Sequence, residues 1–100
     1  AYVFYFLEGL TEAALALGFA EADARKLAYA TFAGAIKLAQ ASPAEPQQLR
    51  AQVTTPGGTT ERAIRLMEAA DVKRHFVDAV KAAADRSREF GEAAGRESNG

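Results

Sequence analysis

The sequence predicts an all-α fold of about five helices, two of them long. Strong helix formers, alanine above all, dominate the segments 3–17, 21–40 and 72–90, where apolar residues recur every three to four positions. The prolines and the one pair of adjacent glycines are confined to two short stretches, 42–46 and 53–60. No strand pattern flanks these breaks, so we expect helices that are joined by turns.

The composition indicates one small globular domain that spans residues 1–100. Hydrophobic residues make up 49% of the 100 residues, but alanine supplies much of this fraction, so the apolar volume available for a core is modest. We therefore expect burial against a second copy of the chain in a two-fold homodimer, with further association of dimers left open.

Charge and cysteine content exclude several classes of function. The chain has 12 basic and 13 acidic residues and a formal charge of -1, without the basic stripe of a nucleic-acid-binding protein. The absence of cysteine excludes disulfides, a thiol nucleophile and a thiolate metal site; we predict no metal, and a reducing cytoplasm as the location.

The first ten residues, AYVFYFLEGL, are apolar but are not expected to bind a membrane. No basic segment precedes them, as a signal peptide would require, and the apolar run breaks at Glu8, too soon to cross a bilayer. A chain that begins within an apolar run and without methionine is expected to be a fragment of a longer protein.

The first two helices are predicted from their apolar spacing. The segment from Val3 to Leu17 is assigned to a helix rather than a strand because YVFYFL continues into TEAALAL, and Gly18 is expected to cap it. A second, closely packed helix is expected from about Glu21 to Gln40, with acidic residues at its start. Its predicted inner face comprises Ala24, Leu27, Ala28, Thr31, Ala35 and Leu38.

Three more helices follow a proline-rich break. Pro46 can open a short helix that ends near Val53, because proline is accepted in the first turn. Further helices are expected over 60–69 and from 72 to about 90, and residues 91–100 are expected to fray. Three side chains of these helices receive structural interpretations: Glu61 pairs with Arg65 on a solvated face, His75 is a solvated helix residue, and Met67 belongs to the core.

The stretch VTTPGGTT, residues 53–60, admits two interpretations. As a turn, it uses Pro56 to preset φ and Gly57 to accept a positive φ, and Thr59 or Thr60 then caps the next helix. As a site, a glycine-bearing loop that enters a helix directs several unpaired N–H groups at one point, where the helix dipole favours an anion.

The loop chemistry favours a carboxylate as the anion. The stretch lacks the lysine of a phosphate-binding P-loop, and it lacks the preceding strand and the wider glycine spacing of a dinucleotide fingerprint. Gly58 is expected to combine a positive φ with a close approach of the ligand, neither of which a β-branched side chain would tolerate.

Three segments of the chain together resemble the C-terminal domain of pyrroline-5-carboxylate reductase. They are AYVFYFLEGL, SPAEPQQLRAQVTTPGGTTERAIRLME and DAVKAAADRSREFG, in the family's order and over nearly the whole chain. The most specific motif is V-[ST]-[ST]-P-G-G-x-T. The resemblance implies that residues 1–100 form an interleaved homodimeric helical domain. It also implies an N-terminal Rossmann domain, absent from this chain, that binds NADPH or NADH.

The resemblance further implies roles for individual loop residues. Thr55 and Thr60 would donate hydrogen bonds to the substrate, with Thr60 as the catalytic candidate that faces the ring nitrogen. The backbone amides of Gly58 and Thr59 would complete a cradle for the substrate carboxylate, and Val53 would lie beside the substrate ring. Two positions depart from the family pattern: Gln52 replaces a common asparagine, and Pro43 replaces a common acidic residue, with Glu45 the only acid in that break.

The implied reaction is reduction of 1-pyrroline-5-carboxylate to L-proline by hydride transfer from NAD(P)H, a step of proline biosynthesis. The fragment alone is expected to be inactive because no segment of it can bind the dinucleotide. The main alternative is a purely structural helical oligomerisation module without a ligand site. A small-anion sensor that uses the same loop without redox chemistry is a third interpretation.

Overall fold

The computed structural model describes residues 1–99, with side chains through residue 92, and the all-α prediction is confirmed. The described residues contain no strand. The chain divides into two compact units, Ala1–Val53 and Thr54–Gly100. The five helices are α1 (Tyr2–Ala16), α2 (Glu21–Ala41), α3 (Pro46–Gln52), α4 (Thr59–Ala69) and α5 (Val72–Asn99).

In the first unit, α1 ends at the glycine that the sequence indicates. Gly18 has a φ of 102°, in the left-handed region, and its N–H donates to the Leu15 carbonyl at 3.0 Å. The Phe19 N–H donates to the Ala14 carbonyl at 3.1 Å. These two bonds form a Schellman motif, which satisfies carbonyls that the end of the helix leaves unpaired. The chain thereby reverses, and α2 packs against α1.

The contact between α1 and α2 is built on alanine. Ala14, Ala24 and Ala28 are buried, the last two completely. Among the described residues no larger hydrophobic side chain is buried, and Leu27 and Leu38 of the predicted inner face are 43% and 49% exposed. The prediction of a small, closely packed inner face on α2 is therefore confirmed for Ala24 and Ala28. Within one chain it is wrong for the other four positions, which are exposed: Leu27, Thr31, Ala35 and Leu38.

Helix α3 begins where the sequence predicts, and Glu45 is its N-cap. Pro46 occupies the first turn, and the Glu45 N–H donates to the side-chain oxygen of Gln48 at 2.8 Å, one half of a capping box. The single acid of the proline-rich break thus has a structural role at this helix end.

In the second unit, the reversal between α4 and α5 uses a residue other than glycine. Asp71 has a φ of 54°, its N–H donates to the Glu68 carbonyl, and its own carbonyl accepts the His75 N–H, both at 3.0 Å. Aspartate is among the few residues that enter the left-handed region without severe strain. His75 is exposed, as predicted, whereas Met67 is 42% exposed, so its assignment to a core is wrong for the isolated chain.

The predicted end of the last helix is wrong. Helix α5 continues to Asn99 instead of ending near Phe90. The segment after Phe90 contains no proline, and its alanines, glutamates and arginine sustain a helix despite two glycines. Of the segment expected to fray, Gly100 and the side chains beyond Glu92 lie outside the described residues. Over the described part of the chain, no helix is both long and apolar enough to cross a membrane.

Candidate functional site

The candidate site begins with a tight turn over Thr55–Gly58. The Gly58 N–H donates to the Thr55 carbonyl at 2.9 Å, which closes the four-residue turn. Pro56 at the second position and Gly57 at the third, with a φ of 75°, give it the features of a type II turn. The turn interpretation of the sequence is therefore confirmed, with the positive φ at Gly57.

Gly58 is required for a different reason from the one that the sequence suggests. Its φ is -87°, an ordinary value for any residue, so the expected positive φ at this position is wrong. A Cβ atom at Gly58 would instead lie 3.0 Å from the Thr55 carbonyl oxygen and 3.3 Å from the Thr55 Cβ. The turn folds back so closely on itself that only glycine fits without displacement.

The turn leads directly into the first residues of α4. Gly58 is the N-cap, and the first intrahelical bond runs from the Arg62 N–H to the Gly58 carbonyl at 3.3 Å. The N–H groups of Thr59, Thr60 and Glu61 therefore have no acceptor within the helix. These donors point out of the positive end of the helix dipole, the arrangement that binds anions in many proteins.

The expected threonine cap is not formed. The helix begins at Thr59, one residue before the predicted start, and no side chain caps it by a hydrogen bond. Thr59 and Thr60 thus lie in the first turn of the helix, and their side chains, like that of Thr55, are exposed. Hydroxyls in this position can donate to a ligand at the helix end.

The Glu61 side chain, on the first turn of α4, reaches back and binds the loop. One oxygen of its carboxylate accepts the Gly57 N–H at 3.2 Å, and the other pairs with Arg65 at 2.7 Å. The predicted pair of Glu61 with Arg65 is confirmed, but its description as a solvated face is wrong for Glu61, whose side chain is only 25% exposed. The signal was a glutamate at the third helical position, where a side chain can reach back to the loop.

The predicted site residues fall in both units of the chain. Thr55, Gly58, Thr59 and Thr60 belong to the second unit, where one turn and the start of one helix bring them together. Val53 belongs to the first unit, where it is the C-cap of α3 and 61% exposed.

The second unit also has an open surface depression beside the loop. Its volume is about 640 Å³, and both Gly57 and Gly58 line it. Two cationic side chains, Arg62 and Arg65, border the same depression. The described residues contain no cluster of three or more histidine, aspartate or glutamate side chains that could hold a metal ion.

The fold and the loop define the class first: an all-α domain in which a glycine turn opens a helix. Comparison with known proteins then gives the family. Residues 1–90 match the family described as pyrroline-5-carboxylate reductase dimerisation, and the chain belongs to that family. The resemblance that the sequence motifs predict is confirmed.

Relatives from several organisms share this sequence. The chain is 45% identical over 91 residues to a pyrroline-5-carboxylate reductase of Corynebacterium melassecola, covering 91% of the chain and 34% of the relative. It is 38% identical over 96 residues to that of Pseudomonas aeruginosa, covering 96% of the chain and 35% of the relative. The chain thus spans about a third of the length of these relatives.

Two solved structures share the fold. A pyrroline-5-carboxylate reductase from Coxiella burnetii superimposes with a TM-score of 0.83 at 40% identity, over 88% of this chain and 33% of the other. The Plasmodium falciparum pyrroline carboxylate reductase with NADP bound also gives a TM-score of 0.83, at 29% identity, over 86% of this chain and 33% of the other.

Proposed function

We propose that this chain is the C-terminal dimerisation and substrate-binding domain of a pyrroline-5-carboxylate reductase. The whole enzyme reduces 1-pyrroline-5-carboxylate to L-proline with NADPH or NADH. Membership of the family supports the proposal. The observation that carries it is the glycine turn at the start of α4, which leaves successive helix N–H groups free of intrahelical acceptors.

In this proposal the substrate carboxylate binds at the start of α4. The N–H groups of Thr59, Thr60 and Glu61 are the available donors. The Gly58 amide, which the resemblance also implies as a donor, is directed to the Thr55 carbonyl instead. Because Gly58 has no side chain, the substrate carboxylate can approach these donors closely. The hydroxyl of Thr55 adds a further donor. The predicted place of Val53 beside the substrate ring stays a prediction.

Thr60 is the proposed catalytic residue: its hydroxyl would donate to the ring nitrogen of a neutral imine, and its hydroxyl oxygen would accept the N–H of a protonated one. Its position in the first helical turn places a hydroxyl and a backbone N–H on one exposed residue. The nicotinamide, when bound, supplies the hydride for the C=N bond. The residues of this chain hold the imine at a fixed place and angle, which is catalysis chiefly by positioning. An imine that enters already protonated needs no proton donor from the protein.

A homodimer is the proposed assembly of this domain. The family description supports dimerisation, and the isolated chain exposes many large apolar side chains, among them Tyr2, Phe4, Tyr5 and Tyr29. Surfaces of this kind are typical of subunit interfaces. The interleaving of helices and any association of dimers belong to the same proposal.

The cofactor is proposed to be a nicotinamide dinucleotide held mainly by an N-terminal domain outside this chain. The Plasmodium falciparum structure with NADP bound supports this choice. We propose that either NADPH or NADH serves, since the residues that would select between them lie in that other domain. A cytoplasmic location stays a prediction from the sequence.

A reductase assay tests the proposed function. The full-length protein that contains this chain should oxidise NADPH or NADH only when 1-pyrroline-5-carboxylate is present, whereas the 100-residue chain alone should not. A full-length protein without this activity would refute the function. Oxidation by the chain alone would show that the cofactor site is misplaced.

A thermal-shift measurement separates the substrate domain from a purely structural module. Proline should raise the melting temperature of the chain, while an uncharged cyclopentane compound should not, because the loop recognises a carboxylate. Equal responses to the two compounds would favour the structural module.

A further inference from the structure

Glu61 makes two contacts that tie the loop to α4. Its carboxylate accepts the Gly57 N–H at 3.2 Å and pairs with Arg65 at 2.7 Å. The Glu61 side chain is 25% exposed, whereas that of Arg65 is 77% exposed. The Glu61 carboxylate is therefore largely shielded from solvent, whereas its ion-pair partner Arg65 is mostly exposed.

The first contact differs from an ordinary capping box. There, a glutamate at the third helical position accepts the N–H of the N-cap residue. Here the N-cap N–H, that of Gly58, already donates to the Thr55 carbonyl. Glu61 instead reaches one residue further, to Gly57. The two glycine N–H groups are thus both satisfied within the loop, and the next donors along the chain are those of Thr59 and Thr60.

The second contact, the ion pair with Arg65, offsets the negative charge of Glu61. A carboxylate beside a site for an anionic substrate repels that substrate and weakens its binding. The guanidinium of Arg65, at 2.7 Å, balances the charge of Glu61. The pair can therefore hold the turn without a net negative charge beside the helix end.

We propose that Glu61 is a positioning residue for substrate binding, and that Arg65 neutralises it. Glu61 fixes the peptide at Gly57 so that the N–H groups of Thr59 and Thr60 stay available for the substrate carboxylate. This inference rests on the proposed function of the loop. Glu61 touches neither the substrate nor the reacting atoms, so its removal weakens binding and spares turnover.

The test compares KM and kcat of the full-length reductase with those of its variants. Glu61→Ala should raise the KM for 1-pyrroline-5-carboxylate by about tenfold, the effect of losing one charge-assisted hydrogen bond. Its kcat should stay within about twofold of the wild-type value, because the bound substrate and the transition state lose the same amount of binding free energy. Glu61→Gln, which keeps an acceptor for the Gly57 N–H and removes the charge, should restore most of the affinity.

Arg65 supplies the second arm of the test. Arg65→Gln leaves the Glu61 carboxylate without its partner, so KM should rise at low ionic strength and fall back as salt screens the repulsion. The double variant with Glu61→Gln should lose this salt dependence. Glu21→Ala is the matched control, because Glu21 forms the same kind of pair with Arg25, at 3.2 Å, away from the loop residues in sequence. Its KM should equal that of the wild type.

Each other outcome overturns the inference in a recognisable way. If Glu61→Ala lowers the melting temperature but not the affinity, Glu61 merely stabilises α4, and the proposed function stands. If Glu61→Gln is as impaired as Glu61→Ala, the acceptor at Gly57 is not what matters. If circular dichroism shows that Glu61→Ala does not fold, an unchanged KM of Arg65→Gln at low salt refutes the proposal. A wild type without reductase activity refutes both the inference and the function.

Discussion

At the scale of single residues, the loop depends on two neighbouring glycines for unrelated reasons. Gly57 supplies a positive φ, and the space around its missing Cβ is open. Gly58 has an ordinary φ, but its missing Cβ leaves room for the backbone and side chain of Thr55. Sequence alone indicates that glycines are needed in such a turn; which constraint applies to which glycine follows only from the backbone path.

The two glycines should therefore respond differently to the same replacements. Gly57→Asn should be nearly neutral because asparagine enters the left-handed region, whereas Gly57→Val should destabilise the chain by about 1–2 kcal/mol. At Gly58, alanine and asparagine should both destabilise, since each brings a Cβ to 3.0 Å from the Thr55 carbonyl oxygen. Urea unfolding measures these differences. Equal tolerance of asparagine at both positions would contradict this account of the turn.

Thr60 offers a test of side-chain chemistry at constant shape. In the full-length reductase, Thr60→Val should weaken substrate binding by about 1.5–3 kcal/mol, because a polar atom of the substrate loses a charge-assisted hydrogen bond. Thr60→Ser keeps the hydroxyl and should lose much less. Steady-state kinetics gives the comparison, with circular dichroism to confirm that the helices survive. If KM and kcat are unchanged in Thr60→Val, the proposed catalytic role of Thr60 is wrong.

At the scale of helices, the ends are set by local backbone bonds as much as by hydrophobic patterning. Helix α1 ends in a Schellman motif at Gly18, and α4 ends where Asp71 enters the left-handed region. Proline opens α3 together with a capping box from Glu45. Of these devices, the glycine and the proline are readable in the sequence. The positive φ of Asp71 cannot be predicted from the sequence, because aspartate also occurs at many caps and turns where φ is negative.

A pair of glycine replacements tests the importance of the α1 end. Gly18→Ala should destabilise the chain by about 1 kcal/mol, because its φ of 102° strains any side chain. The matched control is Gly91→Ala within α5, where the added Cβ meets no atom within 4 Å and alanine favours the helix. That variant should be as stable as the wild type or more so. If thermal unfolding shows that both variants are destabilised, or that both are stabilised, the special role of Gly18 would be contradicted.

The sequence predicts the positions of the helices well and the burial of their side chains less well. Apolar spacing, alanine content and the positions of proline and glycine are local properties, and the first four helices lie within a few residues of the predicted bounds. The assignment of Met67 to a core fails because burial depends on what packs against a helix. Helix α5 extends beyond the predicted end at Phe90 because the helix formers that follow outweigh the tendency of a chain end to fray.

The candidate site shows the same division. The turn over Thr55–Gly58 and its entry into a helix follow from Pro-Gly-Gly and the helix formers after it. The contact of Glu61 with the Gly57 N–H does not follow, because a glutamate at this position has several partners within reach and only coordinates select one. The roles of the site residues in binding remain predictions.

At the scale of the whole molecule, the isolated chain buries very little apolar volume. Its buried hydrophobic residues among those described are three alanines, while many aromatic and aliphatic side chains remain exposed. Because burial of large side chains supplies most of the stability of a small domain, a chain of this kind is poorly stabilised by itself.

The chain should therefore form a dimer whose stability depends on concentration. Sedimentation at micromolar concentration should show a dimer, and the melting temperature should rise with protein concentration. Tyr5→Glu should shift the equilibrium towards unfolded or monomeric chain, since Tyr5 is 71% exposed in one copy and an interface would bury it. Tyr5→Leu, which stays apolar, is the control. A stable folded monomer at micromolar concentration would refute the dimer.

The three buried alanines also imply an unusual pattern of mutational tolerance. Nearly every substitution at Ala14, Ala24 or Ala28 adds volume between α1 and α2, and only glycine is smaller. Selection for the hairpin of one chain would therefore fix the smallest apolar residues, whereas the exposed aromatics would be free to drift unless assembly is selected as well. Mutational scans of the domain, with and without a selection for assembly, would thus separate the residues that shape a single copy from those retained for its partner.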